Sequence, residues 1–210
     1  MLRRALVTTL FALCSTVIPA TAAVITDPAN DFIPSFTGNA TGDLDVLSAT
    51  ATFDGTNFLM GATVNGLIGT NPNALYVFGV NRGQATANFA ALGLPGIVFD
   101  SVITMTGAGV LGGRDLVTAT NITLGTPAQI SGSSFLITVP LSALPSLGLT
   151  PLQYGFNLWP RDASVTGNAQ ISDFAPNDTT FNATAVPEPS SVALICAGIA
   201  MLAGLRKRSR

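Results

Sequence analysis

The chain has 210 residues, a formal net charge of −2 and no histidine. Its mean hydropathy is +0.50, and charged residues make up only 10% of it. Without histidine, Ser-His-Asp and Cys-His machinery, the usual neutral-pH proton shuttle and most zinc and copper sites are excluded.

The first predicted element is an export signal over residues 1–23. Arg3 and Arg4 form a positive n-region, Ala5 to Ile18 an apolar h-region, and Ala20-Thr21-Ala22 an A-x-A cleavage site. Cleavage after Ala22 or Ala23 leaves Val24 near the mature N-terminus. Cys14 lies inside the h-region behind Leu13, which does not fit a lipoprotein cysteine, and Cys196 lies in the C-terminal apolar run. The span between the two terminal segments therefore has no thiol and can form no disulfide. It must be held by its own core, which about 160 residues can supply as one domain.

That central span, residues 24–177, reads as all-β. From Leu44 to Val64, Leu47, Ala49, Ala51 and Phe53 alternate with Ser48, Thr50, Thr52 and Asp54. Turn residues follow at Asp54-Gly55-Thr56-Asn57, and Phe58, Met60, Ala62 and Val64 resume the period of two. Further strands are predicted at 75–80, 96–106, 115–124, 134–139 and 153–159. Asn81-Arg82-Gly83, Gly112-Gly113 and Ser131-Gly132-Ser133 punctuate them, and only 85–92 and 141–147 offer short helical turns. Short strands with Gly-rich turns, and no repeat of solenoid or propeller length, predict an antiparallel β-sandwich or jelly roll. Residues 178–185 read as a linker.

Charge is segregated. Arg3, Arg4, Arg206, Lys207, Arg208 and Arg210 sit in the two terminal segments, leaving Arg82, Arg114 and Arg161 against ten aspartates from Asp27 to Asp178. An acidic domain disfavours nucleic acid or an anionic membrane surface as partner. It contains no lysine, and the one glutamate of the chain is Glu188. Schiff-base and Ser–Lys chemistry are thereby removed, and no glycine-rich phosphate loop is present.

Aspartates are the remaining chemical equipment. Two flanking a sugar bond could run glycoside hydrolysis. Asp43 and Asp45 are expected to share a strand face, and Asp100 and Asp173 each sit beside an aromatic residue. Service in turns and solvation is the simpler use, and the expectation is that the domain is not an enzyme. Calcium is the one cofactor the residues suggest. Asp27, Asn30 and Asp31 cluster near the mature N-terminus, Asp43 and Asp45 follow, and hard oxygen donors suit Ca²⁺. No D-x-[DN]-x-[DN]-G loop supports it. For a glycan, Trp159 and Tyr154, with Tyr76, could stack on sugar rings if exposed. Core packing is their alternative use.

The last predicted element is residues 186–210. Val186-Pro187-Glu188-Pro189 is stiff and extended, because each proline fixes its own φ and restricts the residue before it. An apolar helix follows at 192–205, shorter than the roughly 20 residues that cross a bilayer comfortably. The basic tip Arg206-Lys207-Arg208-Ser209-Arg210 should stay cytoplasmic. Motif, apolar run and basic tip, in this order, resemble the PEP-CTERM sorting signal of Gram-negative bacteria. The resemblance implies recognition and processing by an exosortase, transient inner-membrane insertion, and delivery to the cell surface or extracellular matrix. A plain C-terminal anchor is the alternative.

In the centre, Asp43-Leu44-Asp45-Val46, Tyr76-Val77-Phe78-Gly79-Val80, Asn157-Leu158-Trp159-Pro160-Arg161 and Ile171-Ser172-Asp173-Phe174 resemble exported β-sandwich domains related to carbohydrate-binding jelly rolls. That implies a polysaccharide partner. The expected protein is a non-catalytic surface, matrix or biofilm component. An aspartate-based carbohydrate-active enzyme and a purely structural or adhesive protein are the alternatives.

Overall fold

The computed structural model describes residues 23–186. The predicted signal peptide, the C-terminal apolar helix and the basic tip lie outside the described residues. Within them the chain forms twelve strands: β1 (Val24–Thr26), β2 (Val46–Phe53), β3 (Asn57–Val64), β4 (Ala74–Asn81), β5 (Ser101–Thr106), β6 (Leu111–Asp115), β7 (Thr120–Ile122), β8 (Gln129–Ser131), β9 (Ser134–Pro140), β10 (Gly155–Asp162), β11 (Phe181–Asn182) and β12 (Thr184–Ala185). Among the described residues helical structure is confined to 3-10 turns, including Ala90–Leu92 and Leu141–Ala143 inside the two predicted helical stretches.

The predicted first hairpin is β2–β3. Asp54 Oδ1 accepts the Thr56 and Asn57 amides at 2.8 and 2.6 Å, and Gly55 takes a φ of 95° that a side chain would resist. A register shift between Val46 and Ser48 lets Val46 point inward with Ala49 and Ala51, which strict alternation from Leu47 does not anticipate. Two other expectations are corrected. The segment 115–124 is not one strand: the chain turns between β6 and β7, and Gly112-Gly113 lies inside β6 rather than at a turn. A Cβ on Gly113 would come 2.6 Å from the Val102 carbonyl, so the strand interior itself needs the glycine.

One sheet has the order β1-β2-β3-β9-β8, with β12 also on β2; the other runs β11-β10-β4-β5-β6-β7. Every pairing is antiparallel except the two-residue β12 against β2. Facing side chains from both sheets interdigitate to form the core. Phe58 of β3 lies 5.1 Å from Tyr154 and 5.5 Å from Phe156, and Phe135 of β9 lies 5.2 Å from Tyr76, ring centre to ring centre. Each such side chain, fully buried, stabilises the fold by about 1.5–3 kcal/mol. This is the predicted antiparallel sandwich.

The second sheet is also covered on its outer side. Along β10, Phe156 and Leu158 face the main core, while Trp159 faces out into a second cluster of Val77, Phe89, Ile97, Phe99, Ile171 and Phe174. The long β4–β5 and β10–β11 connections supply that cover. Gly79 makes it possible, because a Cβ there would meet the Trp159 ring at 2.5 Å.

Residues 178–185 are not a linker. β11 pairs with β10, β12 with β2, and Phe181 and Ala183 are buried, so the last strands close the sandwich. Thr and Asn density suggested a spacer; the alternating Phe181 and Ala183 carry the opposite signal.

Candidate metal centre

Past β1 the chain crosses one end of the sandwich as a strap. The Asp27 amide still donates to Leu47 O at 3.0 Å, after which Pro28 and a left-handed Asn30 (φ 64°) turn the chain away. The Asn30 amide donates to Asp45 Oδ2 at 2.9 Å, and the Ile33 amide to Ser172 O at 2.9 Å. These bonds set the strap against the start of β2 and the β10–β11 connection.

The turn carries Asp27 and Asp31 to Asp173, a residue remote in sequence. The three offer carboxylate oxygens that all lie within 4.8 Å of one another. Asp173 is fully buried, and its two oxygens accept the Val46 amide at 2.8 Å and the Phe174 amide at 2.7 Å. Asp45, also fully buried, adjoins the three closely enough for its charge to act on both Asp27 and Asp173. Its Oδ2 takes the Asn30 amide and Asn65 Nδ2, the latter at 2.8 Å, while its Oδ1 has no partner. Asp27 Oδ2 and Asp31 Oδ1 are likewise buried and unpartnered.

The electrostatics follow from that crowding. Burial, then the charges of Asp173, Asp31 and Asp45, push the Asp27 carboxyl up to about 8. Burial also pushes Asp173 up to about 7, against the Val46 and Phe174 amides and with the help of Asp31 and Asp45. Among the described residues both salt bridges belong to Arg82, so no side-chain cation neutralises this corner. All the available donors are oxygen, the set that hard cations take.

The predicted calcium residues thus divide. Asp27 and Asp31 come together with Asp173, while Asp45 lies next to them on the Asn30 amide, outside the set of mutually close oxygens. Asn30 enters through its amide, serving Asp45. Asp43 does not join: it sits in the 3-10 turn Gly42–Leu44, where its Oδ2 accepts the Asn71 amide at 2.8 Å. Asp43 and Asp45 therefore share no strand face. Asp173, noted only as neighbour to an aromatic, is the member that sequence proximity could not supply. Asp100 is committed to Arg82, with its Oδ1 2.8 Å from Nε.

The glycan candidates are corrected by burial. Trp159, Tyr154 and Tyr76 are 0% exposed. Trp159 is enclosed by the outer cluster, and Tyr154 is stacked on Phe58 with its hydroxyl donating to Leu144 O at 3.0 Å. None offers a ring face to a sugar.

The fold and this corner define a β-sandwich module with an uncompensated acidic strap. Its address comes from the end of the chain, where residues 185–209 match the family model described as PEP-CTERM protein-sorting motif. No curated protein matches the chain. The motif assigns an exosortase as processing partner and a destination at the cell surface or in the extracellular space. The match begins at Ala185, the last residue of β12. Of the predicted sorting residues, Val186 is the last described; Pro187, Glu188, Pro189, Arg206, Lys207, Arg208 and Arg210 lie beyond.

Proposed function

We propose that this exported protein is a non-catalytic surface or extracellular-matrix module, a biofilm component that passes transiently through the inner membrane after loss of its signal peptide. The observation that carries the reading is the match of residues 185–209 to the sorting motif. The state of the carboxylates supports the absence of turnover. Glycosidases hold their two carboxyls about 5–9.5 Å apart around a sugar bond or a water. Asp27, Asp31 and Asp173 instead bring carboxylate oxygens within 4.8 Å of one another, too close to flank a sugar bond, and Asp173 is sealed from solvent.

Polysaccharide is the partner this setting suggests. With the aromatic candidates buried, contact falls to exposed polar side chains on two of the sheet-edge strands, such as Thr120 and Asn121 of β7 and Gln129 and Ser131 of β8. Intact-mass analysis of the protein from envelope and medium, with and without the exosortase, tests the address. Loss of residues 1 to about 22 and of the tail, the latter only with the exosortase, is the expected result; an intact C-terminus in both strains would show a plain anchor. Retention on the strain's own exopolysaccharide without release of reducing sugar would fit the module. Turnover abolished by Asp173→Asn would replace it with an enzyme.

A further inference from the structure

We propose that Asp27, Asp31 and Asp173 bind one calcium ion beside the buried carboxylate of Asp45, and that the ion fastens the N-terminal strap to the β10–β11 connection. The inference is independent of what the surface module binds. Three carboxylates converge within 4.8 Å, which alone proves little, since acidic side chains gather for many reasons. The second observation is the set of oxygens left over. Asp27 Oδ2 and Asp31 Oδ1 are buried and unpartnered, and the neighbouring Asp45, fully buried and bonded to the Asn30 amide of the same turn, also has an unpartnered Oδ1. Nearly all buried polar atoms in folded proteins find a partner. Three free carboxylate oxygens in one corner, with no guanidinium on it, have the form of a ligand set lacking its ion.

The donor chemistry selects the ion. Calcium takes six to eight oxygens and tolerates irregular geometry, whereas magnesium demands a small octahedron and keeps its waters. Zinc sites draw on histidine and cysteine, and neither residue occurs anywhere in residues 23–186.

The position selects the role. β1 has three residues and ends just before Asp27, so the strap enters the fold on few hydrogen bonds. Asp27 and Asp31 belong to the strap, Asp45 closes it, and Asp173 belongs to the far end of the chain. One ion on Asp27, Asp31 and Asp173 ties sequence-remote segments, as a disulfide does in exported domains that have cysteines. Extracellular calcium modules bind at roughly 10⁻⁴–10⁻³ M. Such a site would fill after export.

The test uses the exported protein, stripped with chelator and titrated with calcium chloride or magnesium chloride. Calcium at a hundred times its dissociation constant should raise Tm by roughly 5–10 °C. It should also slow amide exchange across residues 24–45 more than in β4 and β5. Asp31→Asn, at a side chain that makes no hydrogen bond, should bind calcium at least about tenfold more weakly while keeping the fold. If it fails to fold, the response of the unaltered protein decides. An identical Tm in calcium and chelator would overturn the proposal. So would an equal shift from magnesium, or an undiminished calcium response in Asp31→Asn, since either indicates general charge screening.

Discussion

Two of the places where this domain buries carboxylates solve the problem in opposite ways. Around Arg82 the solution is internal. The guanidinium is fully buried, its Nε 2.8 Å from Asp100 Oδ1 and its Nη2 2.9 Å from Asp115 Oδ2, with Nη1 on the Pro145 carbonyl at 3.3 Å. The spare oxygen of Asp100 takes the Arg82 and Gln84 amides, and that of Asp115 the Val117 and Thr118 amides. Every carboxylate oxygen there has a donor. At the strap, amides and Asn65 serve Asp45 and Asp173, but nothing serves the free oxygens of Asp27, Asp31 and Asp45. Burial of charge is thus a question of donors and counter-charge, and only one corner contains its own.

The largest expected effect breaks the self-sufficient corner. Arg82→Met leaves Asp100 buried without its cation, and removing one member of a buried pair costs about 3–5 kcal/mol. Urea unfolding should show that loss equally with calcium and with chelator. A loss below about 1 kcal/mol would mean that water reaches Asp100 and that the corner is not sealed.

A smaller effect sharpens the comparison, because Asp162 is charged, buried and served by neutral donors alone. Burial would raise its pKa, yet Ser164 Oγ and the amides of Asn39 and Ser164, with Asn71 Nδ2, hold it down to about 2. A carboxyl depressed in the folded state stabilises above its unfolded value near 3.9, and that contribution fades as pH falls toward about 2. Asp162→Asn should therefore cost roughly 2 kcal/mol at pH 7. The gap from the parent should close between about pH 4 and pH 2; a gap of constant size would mean that Asp162 acts by shape and not by charge.

Much of this fold was legible from period-two patterning, because one face of each long strand meets the other sheet. The β2–β3 hairpin carried both its alternation and its Asp54-Gly55 turn in the sequence. Legibility failed where the backbone departs from simple pleating. The bulge at the start of β2 reverses the inward side, and Gly112-Gly113 looked like a turn because tight packing on Val102 also demands glycine. The same limit applied to the site. Asp27, Asp31 and Asp45 are neighbours along the chain and could be grouped by proximity. Asp173 arrives through the β10–β11 connection, and no local pattern records that return. Trp159 misled for a related reason: a strand buried on both faces needs long loops to cover it, and their aromatic residues, Phe89, Phe99 and Phe174, lie far from it in sequence.

The smallest effect separates the two corners by its sign. In chelated protein, Asp31→Asn removes a negative charge from a repulsive group and breaks no hydrogen bond, so Tm should stay level or rise by up to about 3 °C. In saturating calcium the same substitution should lower Tm relative to the parent, because the parent gains a ligand's worth of ion binding that the variant has lost. No substitution at Arg82, Asp100 or Asp115 should change sign with calcium, since that corner holds its own cation. Thermal scans of parent and variant in both buffers give the four numbers required. A variant less stable than the parent in chelator by as much as in calcium would mean that the carboxylates gathered at the strap form an ordinary polar cap, with no ion to hold.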